Sequence, residues 1–79
     1  STVTYDQKYM LNNVQRGRLQ EITRKYIAKE VLDLMKDPDY QNETDEIKEG
    51  MVRGAITAAR GQAREKFRGE AINDLKVAD

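Results

Sequence analysis

Residues 37–44 read Asp37-Pro38-Asp39-Tyr40-Gln41-Asn42-Glu43-Thr44 and hold the single proline of a 79-residue chain. Aspartate before proline suits the N-cap and first position of a short helical turn, because proline needs no hydrogen-bond partner there. Thr44 suits the N-cap of a longer helix, with Asp45 and Glu46 where carboxylates meet the positive end of the helix dipole. This is the one strong cluster of breakers, and periodic apolar patterns lie on both sides of it. The expected fold is all-α: two long helices in an antiparallel hairpin, joined by a linker over 37–44.

Upstream, the helical pattern covers about residues 5–36. Thr4-Tyr5-Asp6-Gln7 fits a capping box closing the first turn. Met10, Leu11 and Val14 form one apolar group. Leu19, Ile22, Tyr26, Ile27, Val31, Leu34 and Met35 recur at three- and four-residue steps. The two groups are out of phase near Gly17, and glycine costs helix stability. Either the helix kinks at 17, or one long helix meets different neighbours along its length.

Downstream, a helix over about 45–68 carries three faces. Val52, Ile56, Ala59, Ala63 and Phe67 make an apolar ridge, expected to pack on Ile22–Met35. Gly50, Gly54, Ala58 and Gly61 make a small-residue groove suited to close approach of another helix. Arg53, Thr57, Arg60, Arg64 and Arg68 make a basic stripe. Gly69 either ends this helix, leaving 69–79 as a tail, or is passed through toward Ala71, Ile72 and Leu75. Breaks at both Gly17 and Gly69 would give three to four helices.

Charge is neutral overall but blocked. Residues 37–49 hold six acidic and one basic side chain, and residues 50–68 hold five basic and one acidic. With 35% charged residues and 38% hydrophobic ones, the chain is polar for a lone globule. A domain this short buries only roughly 60% of its unfolded surface. Residues 1–79 therefore read as a single helical domain or as a fragment of a larger protein. Beginning with Ser1 rather than Met suggests excision, a tag remnant or processing. The apolar runs are too short to span a bilayer, and the N-terminus lacks a signal pattern.

There is no Cys and no His. That excludes disulfides, thiolate chemistry, Cys-based zinc sites and Ser–His or Cys–His nucleophile pairs. Asp37, Asp39, Gln41 and Glu43 alternate like calcium ligands. Yet the central glycine of a calcium loop is missing, and Lys48 stands where its closing Glu belongs. No acidic residue lies in an apolar stretch that would raise its pKa for hydrolysis. The four tyrosines read as packing residues at element edges, Tyr40 beneath the linker against Leu34, Met35 or Met51. The three methionines read as contact fillers. No catalytic residue, cofactor or metal is expected, and the chain is not expected to be an enzyme.

Two sets of residues are candidates for binding. Met10, Leu11, Val14, Gly50, Met51, Gly54, Ala58 and Gly61 suit helix packing against a second copy or a larger parent. Arg53, Arg60, Arg64 and Arg68 suit phosphate, because guanidinium groups bind it in bidentate fashion. Arg16, Arg18, Arg24 and Lys25 would extend that patch if the helices fold back. A solvated or ion-paired face is the competing reading of the stripe, favoured by zero net charge.

The run Leu34-Met35-Lys36-Asp37-Pro38-Asp39-Tyr40-Gln41, followed by Thr44-Asp45-Glu46, Lys48, Met51 and Ala58-Ala59-Arg60, resembles segments of large virion and tail-associated proteins of bacteriophages and related mobile elements. Those segments place Pro, Tyr and Gln in a turn, followed by Ser or Thr, Asp, Glu and Lys opening an Ala-rich helix. The resemblance covers about residues 31–66. It implies a structural or assembly role, in the cytoplasm or in a virion.

The leading expectation is thus a non-enzymatic assembly or protein-interaction module, with self-association or a larger parent assembly as partner and no membrane. The alternatives are a nucleic-acid-associated module using the arginine stripe and a small inhibitor of a host enzyme acting through its acidic linker.

Overall fold

The computed structural model describes residues 10–78, with side-chain surroundings given as far as Glu70. The order is α1 (Asn13–Met35), α2 (Pro38–Gln41) and α3 (Asp45–Ala78), with no strand among the described residues. The two long helices pack antiparallel and α2 touches both. The all-α hairpin expected from the linker is what forms.

Helix α1 starts later than the periodicity suggested. Asn12 is its N-cap: the Asn12 Oδ1 accepts from the Gln15 N–H at 2.8 Å, and the Asn12 N–H donates to Gln15 Oε1 at 3.0 Å. This reciprocal box satisfies two otherwise orphaned donors. It also satisfies the amide oxygen of Gln15, which is buried. The box expected at Thr4–Gln7 lies outside the described residues. Gly17 lies within α1 without a break, so the change of phase near it reflects a helix start at Asn13 rather than a kink. Just before the cap, Met10 has φ 52°, in the left-handed region that an L-residue enters at a cost of about 1–2 kcal/mol.

The linker behaves as its residues dictate. Asp37 caps α2, accepting from the Asp39 N–H at 2.9 Å, and Pro38 occupies the first turn. Gln41 Nε2 donates to the Met35 carbonyl at 2.9 Å, which satisfies an acceptor that the end of α1 leaves without a helical partner. Thr44 opens α3: its carbonyl accepts from the Lys48 N–H at 2.9 Å, and its hydroxyl oxygen lies 3.4 Å from the Ile47 N. Gly69 does not end α3, which runs as one helix of 34 residues to Ala78. Residues 69–78 are therefore helix rather than tail.

The core is small and off-centre. Leu11, Leu19 and Ile22 pack with Ala63 and Phe67, and Tyr26 lies against them. Ala59 is also fully buried. The ridge expected on α3 is therefore the core face, but its partner is displaced. The buried cluster is centred on Leu19 and Ile22 and draws in Leu11, while Met35 stays 50% exposed. The pairs Arg18–Glu70 and Glu30–Gln62 set the register. By Leu34 the chain has come level with Met51 and Ala55. The first turn of α3 thus extends past the end of α1 beside α2, where Tyr40 lies over Lys48, its ring centroid 5.4 Å from Nζ. Tyr40 lines a hollow there with Asp45, Lys48, Glu49, Val52 and Arg53.

Candidate functional site

Two surfaces stand out, one apolar and one basic. The apolar one begins with residues the core leaves uncovered: Leu32 is 55% exposed, Met35 50% and Ile47 49%. These large side chains cluster at the linker half of the hairpin, while the buried cluster occupies the other half.

Along α3 the surface continues from Ile47 through Met51, Gly54, Ala58 and Gly61 at helical spacing, on the side facing away from the Ala59–Ala63–Phe67 ridge. Ile47, Gly54 and Ala58 are exposed, and Met51 and Gly61 are half-buried. A Cβ added at Gly54 or Gly61 would meet nothing within 4 Å, and one at Gly50 would meet only the Arg53 guanidinium at 3.8 Å. The groove is therefore present, but no helix among the described residues fills it. Met51 turns toward a hollow with Leu34, Asp33 and Ala55.

The N-terminal part of the expected contact surface does not hold together. Leu11 is buried in the core, whereas Met10 is 87% exposed and Val14 81%. Leu11 precedes the helix and turns inward, so three residues that share a face on an ideal helix are separated here. None of the three joins Met51, which lies toward the linker end.

The arginine stripe divides by partner. Arg53 Nη1 lies 3.9 Å from Glu49 Oε2, and Arg68 Nη2 lies 2.5 Å from Glu65 Oε1. Both are pairs within α3. Arg60 and Arg64 instead face α1, where with Arg24, Gln20, Thr23 and Leu19 they line an open cleft of about 320 Å³. Of the residues expected to extend the patch, only Arg24 enters this cleft. Arg16 donates to Asn13 Oδ1 at 2.8 Å. Arg18 and Lys25 lie on the other flank, lining a cleft of about 330 Å³ with Lys29, Lys66, Ile22 and Tyr26.

On that flank Arg18 is fully engaged. Its Nε and Nη2 donate to the two oxygens of Glu70 at 2.7 and 2.8 Å, and its Nη1 lies 3.6 Å from Glu21. The hydrogen bonds from Arg18 hold the Glu70 carboxyl below the usual carboxylate range; partial burial opposes this, and the charges of Arg18 and Lys66 add to it. The same bonds raise the Arg18 guanidinium above its ordinary value.

Among the described residues no three acidic side chains converge as a metal site would require. No helix is long and apolar enough to cross a membrane. The parts that Gln15, Gln41 and Glu70 play in securing the helix ends and the register were not read from the sequence. Gln15 alone carried a signal, the spacing Asn12-x-x-Gln15 of a capping box. No protein family, curated protein or solved structure compared with this chain matches it.

Proposed function

We propose that this chain is a non-enzymatic helical assembly module that packs through the uncharged stripe of α3 against a second copy of itself. The carrying observation is uncovered apolar surface. Among the described residues Leu32 is 55% exposed, Met35 50% and Ile47 49%, and a Cβ added at Gly54 or Gly61 would meet nothing within 4 Å. Covering apolar surface of this kind contributes about 25 cal/mol per Å².

Self-association suits the stripe for two reasons. A two-fold interface sets each patch against its own image, so charge in the patch would repel itself. The stripe Ile47–Met51–Gly54–Ala58–Gly61 carries none. In an antiparallel pairing centred near Gly54 or Ala58, Asp45, Glu46 and Glu49 of each copy come level with the basic half of the other's α3. The resemblance of residues 31–66 to phage virion segments points toward the same kind of role.

Sedimentation equilibrium over a range of concentrations tests the reading. A monomer–dimer equilibrium is expected, shifted toward monomer by Gly54→Leu. A well-folded monomer at every concentration would overturn it.

A further inference from the structure

We propose that the cleft between Arg24 on α1 and Arg60 and Arg64 on α3 is a binding site for a phosphoryl group. Arg18 engages Glu70 and Glu21, Arg53 engages Glu49, Arg68 engages Glu65, and Arg16 engages the Asn13 amide. Only Arg24, Arg60 and Arg64 have no such partner among the described residues, and these three line one cleft. The arginines left without a carboxylate or amide partner among the described residues are thus gathered at one cleft. Arg60 and Arg64 stand one turn apart, where like charges oppose helix formation, and folding adds Arg24 from the facing helix.

The lining limits what can neutralise them. Among the described residues no carboxylate borders the cleft. Thr23 donates its hydroxyl hydrogen to the Leu19 carbonyl at 2.7 Å, while Gln20 offers an amide N–H₂. Leu19 supplies an apolar floor and is itself buried. A single carboxylate offers two oxygens and one charge to three guanidinium forks. A terminal phosphoryl group offers three oxygens and up to two charges, a closer match in number and in geometry. The cleft is open along its length, so its occupant can be free phosphate or successive phosphodiesters of a nucleic-acid backbone, which together supply the oxygens and charge that one phosphodiester lacks. The site does not depend on the apolar stripe of α3, none of whose residues lines this cleft.

The test is a titration of the full chain at low salt with inorganic phosphate, pyrophosphate and a short single-stranded oligonucleotide, followed by the Nε–Hε signals of the arginines. Saturable shifts confined to Arg24, Arg60 and Arg64 are expected. Arg60→Ala and Arg64→Ala should each weaken binding roughly tenfold, as removal of a charged hydrogen bond does. Arg53→Ala and Arg68→Ala should leave it nearly unchanged. All four side chains are at least partly exposed, and circular dichroism verifies that each variant folds. Tighter binding of the oligonucleotide than of pyrophosphate, with a log–log salt slope of about −2 for three contacts, identifies a backbone as the source. Equal binding of acetate and phosphate overturns the proposal, as do shifts spread evenly over Arg53 and Arg68. So does loss of self-association in the Arg60 and Arg64 variants without any phosphate response, which would assign the cleft to a second copy.

Discussion

Arg18 and Glu70 form a two-point ion pair across the hairpin, 52 positions apart in the chain, through hydrogen bonds of 2.7 and 2.8 Å. Each follows directly on a glycine, Gly17 and Gly69, at which the sequence suggested a helix break. The pair therefore clamps the two helices where each is intrinsically weakest. Glu70 has a lower pKa in the folded chain than unfolded, so its contribution is complete above the ordinary Glu value of about 4.3 and lost as pH falls through the folded value. Glu70→Gln should lower the melting temperature at pH 7, and its gap from the parent chain should shrink as pH drops below about 4. Thermal melts at several pH values check this. Both side chains are partly exposed, so added salt should narrow the gap too.

Asn12→Ala removes the Oδ1 acceptor of the Gln15 backbone N–H, one half of the box, and leaves the Gln15 side chain only its bond from the residue-12 N–H. A cost of about 1–2 kcal/mol is expected, measured by urea unfolding. Asn12→Ser should restore most of it, since serine caps comparably.

Among the described residues Phe67 is the only large side chain buried to below 2% exposure. Phe67→Ala should cost about 3–5 kcal/mol, comparable to the whole stability that a core of this size supplies. Loss of cooperative unfolding by circular dichroism is the expected result. Phe67→Leu should keep a two-state transition at lower temperature.

Glycine-to-alanine substitutions separate the monomer from its association. Gly17, Gly54 and Gly61 each have open space where a Cβ would go. Alanine at any of them should raise monomer stability by about 0.5–1 kcal/mol. Gly17→Ala should leave self-association alone, whereas Gly54→Ala and Gly61→Ala should weaken it by crowding the stripe. Calorimetry paired with sedimentation reads both effects.

Local chemistry made the linker legible. Asp37, Pro38 and Thr44 act through capping and fixed φ within a few residues, so their roles survive folding unchanged. The ridge Ala59–Ala63–Phe67 was equally clear, because its period is that of the helix that carries it. The cap of α1 at Asn12 was not picked out, because Asn12–Gln15 shares its spacing with Thr4–Gln7, which lies outside the described residues, and periodicity does not choose between them. Met10, Leu11 and Val14 were grouped by assuming one helix through all three, whereas α1 begins at Asn13, between Leu11 and Val14. The pairing of Arg24 with Arg60 and Arg64, and of Arg18 with Glu70, depends on the register between α1 and α3. Register is a tertiary property, fixed by how Leu19 and Ile22 seat beside Ala63 and Phe67, and no short-range pattern encodes it.

The blocks of charge noted along the chain acquire a further meaning once they are placed in space. Acidic side chains of residues 37–49 gather where α2 meets the start of α3, and Arg18, Arg24, Lys25, Arg60, Arg64 and Lys66 surround the body of the hairpin. A molecule with no net charge is not pulled through a uniform field, but one built this way is turned by it. The hairpin is an electric dipole whose ends lie farther apart than the roughly 10 Å over which 0.1 M salt screens charge. In dilute buffer neighbouring molecules will orient one another head to tail, and added salt will release them, so solubility should rise with the first increments of ionic strength.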